Sequence, residues 1–210
     1  MKILNIKEHV YEELETKLRN VTLRNSDVKP YKDATIMLLP IQIKDIALCQ
    51  YYILNKKLEK LRQLDKLLAK EGYEMFKLNY DCAYLTLTIN NKEGDNTFDL
   101  LPIIVENWIS DCICCDGAHR TMLAKQEGLK NPNVIWIADT PREYPYYAKP
   151  LPEDRVIFVD DVKEAIDKHG QKANYRRPQE MPKWVKSRDY RMLYRDFNSQ
   201  FNNVSVSRGK

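Results

Sequence analysis

The chain has 210 residues, 43% of them hydrophobic, which is enough to pack one good-sized domain or a domain with an extension and excludes a disordered polymer. Its formal charge of +4 arises from 34 basic and 30 acidic residues and conceals an uneven distribution along the chain. The longest apolar runs, 36–41 and 100–105, contain Pro40 and Pro102 and are far too short to cross a bilayer, and Met1-Lys2-Ile3-Leu4-Asn5 has no signal-peptide character, so a cytoplasmic protein away from membranes is expected.

In chain order, Val10, Leu14 and Leu18 recur at helical spacing and predict an amphipathic helix, with His9 ahead of it as a solvated residue rather than a ligand. Asn25-Ser26-Asp27 followed by Pro30 reads as a loop, and 35–46 as one or two strands interrupted at Pro40. From Leu54 the leucines return at Leu58, Leu61, Leu64, Leu67 and Leu68 among charged residues. That pattern predicts a helix over 54–70, its stripe packed on the protein's own sheet and its end closed by a left-handed Gly72. A strand over 80–90, a turn at 91–96 and a strand over 98–106 make a hairpin. An apolar strand over 112–115, a helix over 121–127 and a strand over 133–138 follow.

Between that strand and that helix lies Asp116-Gly117-Ala118-His119-Arg120-Thr121. A glycine lets the backbone turn tightly, so the first helical N–H groups point outward with the positive end of the helix dipole behind them. His119 and Arg120 add side-chain donors matched to phosphate in charge and shape. The competing reading has Asp116 capping the helix and Arg120 paired with a surface carboxylate. Cys112 and Cys115 have the spacing of a metal-binding pair, but no second pair or suitably placed histidine completes a site. The cysteines are therefore expected to be buried reduced thiols, with Cys112 and Cys114 on one face of the strand and Cys115 on the other.

Pro102-Ile103-Ile104-Val105, then Asp116-Gly117-Ala118-His119-Arg120, then Ala124 and Gly128, with the helix at 54–70 ahead of them, resemble the N-terminal domain of the ParB and sulfiredoxin-like superfamily over roughly residues 41–138. The resemblance implies an α+β fold, a mixed sheet flanked by helices, here with an inserted hairpin and a basic helical C-terminal extension. It divides the chain into an N-terminal helical segment at 1–33, a nucleotide-binding domain at 34–150 and an aromatic-rich extension at 151–210. Members of the superfamily hold nucleotide phosphates with this turn, and their activities differ: partition proteins hydrolyse CTP, sulfiredoxins use ATP to repair cysteine sulfinate, and some relatives phosphorylate free serine. Ala118 stands where sulfiredoxins carry their cysteine, which argues against sulfinate repair. The Asp-Gly-x-His-Arg turn is closest to the free-serine kinases, and on that likeness Asp116 and His119 are active-site residues. Gly117, Ala118, His119, Arg120 and Thr121 would bind a nucleotide (ATP, ADP or CTP) with Mg²⁺. The general base stays open among Asp33, Asp45 and Glu59.

The stretch 139–152 is rich in proline and tyrosine, either a cover for a bound substrate or a stiff connection packed on the core. From 171 to 210 there are ten Lys and Arg against three Asp and Glu, leaving 24 against 27 in the remainder. Helical spacing there puts Arg188, Arg191 and Arg195 on one face, in reach of an anion, and Tyr190, Tyr194, Phe197 and Phe201 on a buried stripe. The expected function is a nucleotide-binding enzyme that transfers a phosphoryl group to a small molecule or hydrolyses the nucleotide. Its rival is a DNA-binding or regulatory protein using the basic C-terminal region, although no helix-turn-helix or zinc finger accompanies that region.

Overall fold

Alternation along three consecutive strands decides the architecture. Ile103, Val105, Cys114 and Val134 belong to one buried cluster, whereas Ile104, Ile135 and Ile137 belong to another, so the sheet they form carries a core on each face. The computed structural model describes residues 1–24, 26–48, 52–91, 94–108, 111–141, 156–164 and 194–202. The strands are β1 (Lys2–His9), β2 (Thr22–Leu23), β3 (Thr35–Pro40), β4 (Ile46–Ala47), β5 (Tyr52–Leu54), β6 (Tyr84–Asn91), β7 (Gly94–Leu100), β8 (Ile103–Trp108), β9 (Asp111–Asp116), β10 (Asn133–Ala138), β11 (Ile157–Val159) and β12 (Arg195–Asp196). The helices are α1 (Tyr11–Arg19), α2 (Asn55–Lys70) and α3 (Ala118–Gln126), with 3-10 turns at Ile43–Asp45 and Phe197–Ser199.

The central sheet has the order β3-β10-β8-β9-β4 and is mixed: β10 runs parallel to β8 and antiparallel to β3, and β9 runs antiparallel to β8 and parallel to β4. Leucines of α2 and residues of α3 fill the first face, and α1 with Phe197 and Phe201 fills the second. This is the expected α+β class. A second sheet, β1-β6-β7, is antiparallel throughout and feeds both cores through Leu85 and Leu87 on one side and Tyr84 on the other.

Helices α2 and α3 close in the same way. Gly72 and Gly128 take positive φ, and the next residues, Tyr73 and Leu129, donate their N–H groups to Leu68 and Ala124 five residues back. The expected end at Gly72 and the strand at 133–138 are both found.

Four expectations are corrected. The run 98–106 is not one strand, because Pro102, which has no N–H to give a ladder, stands where the chain leaves the second sheet for the central one. The segment 1–33 opens with a strand, β1, paired with β6. His9 is buried instead of solvated, its ring stacked flat on Tyr84 at 4.1 Å. The C-terminal aromatic stripe keeps its burial at Phe197 and Phe201 but not its helix, since the chain there forms β12, paired with β2, and a 3-10 turn. Arg188, Tyr190, Arg191 and the residues 142–152 of the proline-tyrosine stretch lie outside the described residues.

Arg195 is turned inward. Its Nε and Nη2 donate to Glu106 Oε1 and Oε2 at 2.7 and 2.9 Å, and Tyr31 donates its hydroxyl to the same carboxylate at 2.5 Å. Glu106 sits on β8, in the middle of the sheet, where an ion must be paired to be tolerated, and a bidentate guanidinium is the partner best shaped for it. Replacing Arg195 with alanine would leave that carboxylate buried and uncompensated. Arg195→Ala is expected to lower stability by about 3–5 kcal/mol in urea denaturation, with much of the loss recovered when Glu106→Leu is added.

Candidate functional site

The turn after β9 is built on Gly117. Its φ of 94° is a left-handed conformation open to glycine, and a Cβ there would lie 3.0 Å from Arg120 Nη2. The guanidinium of Arg120 folds back over the turn: Nη2 donates to Asp116 Oδ2 at 2.6 Å, and Nη1 donates to the carbonyl of Leu101. Arg120 is thus a buried brace that ties the start of α3 to the end of β7. Thr121 is also interior, its hydroxyl donating to the Gly117 carbonyl at 3.1 Å. Asp116, Gly117, Ala118 and His119 remain partly exposed at the turn. Of the residues expected to meet an anion, the side chains of Arg120 and Thr121 are therefore committed within the fold.

His119 reaches across to the neighbouring element. Its Nε2 accepts the Leu54 N–H at 3.1 Å, which places the ring proton on Nδ1. Burial, reinforced by the charges of Lys57 and Arg120, pushes its pKa down to about 4. The ring is neutral at ordinary pH and offers one N–H. Because Leu54 is the residue from which α2 starts, this bond joins the starts of two helices.

The helices run side by side and parallel. Arg62, seven residues into α2, donates to Gln126 at 2.5 Å and to Glu127 at 3.3 Å, at the far end of α3. Their positive ends consequently lie together, and neither N-cap residue, Leu54 or Gly117, has a side chain that caps its helix. Neither first turn contains an acid; α2 begins Asn55-Lys56-Lys57 and α3 begins Ala118-His119-Arg120. A cation at a helix start is disfavoured by roughly 0.3–1 kcal/mol, so this arrangement is electrostatically costly unless an anion offsets it. A third helical start, this one supplied with acids, lies against that of α2. β11 runs parallel to β5, and beyond it Asp161 accepts the Glu164 N–H at 2.7 Å in capping the turn at 162–164. Asp160 accepts from the Asn55 side-chain amide at 3.0 Å, which holds this start against that of α2.

Lys57 is the member of the site that sequence reasoning missed. It is half-buried, and burial lowers its pKa against the opposing attraction of Asp116. Asp116 is shifted upward, burial outweighing Arg120, the Gly117 N–H and Lys57. The signal was present in the sequence as a Lys-Lys pair at the first turn of a helix, where acids are the rule. An open, mostly polar cavity of about 360 Å³ runs along the α2–α3 crevice from Asn55 and Lys56 to Arg62 and Gln126, over Leu58. Of the three carboxylates considered as a base, Glu59 is the one that lines it.

The thiols take no part. Cys114 packs in the first core and Cys115 against the second, as the alternation required. Burial raises Cys114 to about 12 and Cys115 well above its ordinary value, so neither is a nucleophile. No group of three or more metal-ligating side chains occurs among the described residues. No helix among them is long and apolar enough to cross a membrane.

A family model for the ParB CE domain matches residues 13–160, a span that holds the starts of α2 and α3. The chain belongs to the ParB CE domain family. No curated protein and no solved structure matches it. In this ParB CE domain the likeness to the wider ParB-like superfamily rests on the Pro102-Ile103-Ile104-Val105 strand and the Asp116–Arg120 turn, neighbours in the sheet through the Ile104–Asp116 register.

The His119 geometry fixes a pH response. Its folded-state pKa near 4 lies below the unfolded value of about 6.5, so the unfolded chain takes up the proton first. The stability it contributes is complete above about pH 6.5 and is lost as pH falls toward 4. NMR titration is expected to place the His119 ring midpoint near 4, and His119→Asn should flatten the loss of denaturation free energy over that interval.

Proposed function

We propose that this ParB CE domain binds the phosphates of a nucleotide at the joint start of α2 and α3 and uses them for phosphoryl transfer to a small molecule or for hydrolysis. The observation that carries the reading is the parallel helix pair, joined by the His119–Leu54 bond and bearing Lys57 beside Asp116. Like poles brought together, with lysines in the first turn, make a concentrated positive field that a phosphate is suited to neutralise.

The roles follow from position. The N–H groups at Ala118 and His119 are donors of an uncapped helix start, the neutral His119 ring gives its Nδ1–H, and Lys57 supplies charge. Arg120 acts indirectly, holding Asp116 and the turn in place. Asp116 is left to orient the acceptor or to meet Mg²⁺ carried in with the nucleotide, an ion that commonly takes one or two carboxylates plus phosphate oxygens. Glu59 lines the crevice, and in this reading it would deprotonate an acceptor lying there. Sulfinate repair has no support, since Ala118 stands at the cysteine position and the nearby thiols are held protonated. The DNA-binding alternative loses Arg195 to the interior, and the other nine of the ten basic residues of 171–210 fall outside the described residues.

A thermal-shift panel of ATP, ADP, CTP and GTP, with and without Mg²⁺, tests the reading. A ligand at about a hundred times its Kd adds about 2.7 kcal/mol, which for a chain of this size raises Tm by roughly 5–10 °C. Lys57→Gln is expected to weaken the responding nucleotide by about tenfold without lowering the Tm of the free protein, because it also removes a cation from a helix start. Arg120→Ala should instead lower the free protein's Tm by breaking a buried pair. If no nucleotide shifts Tm, or if Lys57→Gln leaves the shift intact, the proposal fails.

A further inference from the structure

The C-terminal segment 194–202 is fastened at a second buried carboxylate besides Glu106. Asp99, on β7, gives its backbone N–H to the Asn202 carbonyl at 2.9 Å and accepts the Asn202 N–H on Oδ2 at 2.9 Å. Its other oxygen, Oδ1, accepts the Thr86 hydroxyl at 2.6 Å, and the Lys17 ammonium lies 3.9 Å from Oδ2. Thr86 Oγ1 is in turn 2.9 Å from His9 Nε2, and His9 Nδ1 is 2.6 Å from Glu13 Oε2.

With Glu13 and Asp99 both ionised, one protonation state of His9 satisfies every contact along this chain. A hydroxyl has one proton, and Thr86 gives it to Asp99, so toward His9 it can only accept. Nε2 must therefore carry a hydrogen. Nδ1 faces a carboxylate, which also only accepts, so it carries one as well. The ring drawn by these contacts is an imidazolium. The same accounting excludes a Glu-His-Thr nucleophile, because the hydroxyl proton is given to Asp99 and not to the histidine.

The rings continue the connection. His9 lies flat on Tyr84, and Tyr84 meets Phe201 edge-on at 5.7 Å, with the Lys17 ammonium 5.1 Å from both centroids. The charged and titratable groups facing His9 are Glu13 and Lys17 from α1, Asp99 from β7 and Tyr84 from β6, with Lys7 of β1 acting on Glu13.

We infer that His9 is a pH-sensitive catch for the C-terminal segment, which is latched while the ring is protonated and loosened when the ring is neutral. A neutral imidazole has one N–H, and it stays on Nδ1, where a carboxylate is a stronger acceptor than a hydroxyl. Nε2 then becomes an acceptor. Thr86 turns its proton toward it, and Asp99 loses the bond on Oδ1 that orients Oδ2 toward Asn202.

Amide hydrogen exchange across roughly pH 5 to 8, the window in which histidine changes charge, tests this when corrected for intrinsic exchange. Protection of the Asn202 amide should fall by about tenfold over the interval in which the His9 ring titrates, as the carboxylate that accepts it is freed from the charge-assisted Thr86 bond that orients it. The Ile135 amide, in the middle of β10, should be unaffected over the same interval. His9→Gln should give a flat, low Asn202 protection. In the wild-type protein the ring ¹⁵N shifts at the acid end should show both nitrogens protonated, a readout that does not require the variant to fold. Asn202 protection that stays level while His9 titrates, a ring that does not titrate in this window, or a His9→Gln profile with the wild-type slope would each overturn the inference.

Discussion

Two parallel helices that begin at one point hold their like poles together, and that constraint organises this domain. The starts of α2 and α3 are joined by the His119–Leu54 bond, and the mutual repulsion of their N-terminal ends is increased by Lys56 and Lys57. The fold compensates in several ways. Arg120 is neutralised by Asp116, His119 is kept uncharged by burial, and Asp160 is drawn in by the Asn55 amide. Each device lowers the positive charge without capping the helix starts. What remains is a field directed at the exposed turn, maintained by a hydrophobic interface of leucines that outweighs a repulsion of order 1 kcal/mol per charge.

Much of this was legible in the sequence because it depends on local chemistry. The leucine spacing from Leu58 to Leu68 gave α2, the Gly72 and Gly117 positions gave a helix end and the turn, and alternating cysteines gave their opposite faces. The rest was hidden because it depends on partners far apart in the chain. Arg120 and His119 are consecutive, and nothing in the run says that one folds inward to Leu101 while the other reaches Leu54. Lys57 lies about sixty residues from the turn, and only the parallel packing of two helices brings it to Asp116. Arg195 was misread for the same reason, since helical periodicity assigned it a solvent face when the deciding feature was a buried glutamate some ninety residues earlier. β1 escaped notice because it buries little on either face and is recruited by β6, not by its own pattern.

The central strands connect the site to the back of the molecule. β8 presents Ile104 toward Asp116 on β9 and, two residues on, Glu106 toward the second core. Arg195 and Tyr31 close on Glu106 from the face opposite α2 and α3, so the C-terminal segment secures the same strand pair that positions the turn. A sheet with a core on each face transmits such a constraint well, because neither layer can shift without opening voids in the other. The buried Glu106 pair contributes little net stability when its desolvation is counted, but it admits one docking geometry for the segment, and that selectivity fits a strand that must hold a neighbour's turn in register.

The electrostatic arrangement also sets how a ligand would be felt. An empty positive site leaves the helix starts repelling one another, and a bound anion removes that repulsion while adding its own hydrogen bonds. Part of the binding energy then appears as tighter α2–α3 packing, with the Arg62 contacts to Gln126 and Glu127 at the far end and the His119–Leu54 bond at the near end under less opposing force. Coupling of this kind is reciprocal: whatever holds the helices together in the free protein raises affinity for the anion by the same factor. The hydrophobic face of α2, two turns away from the joint helix start, is in that sense part of the proposed site.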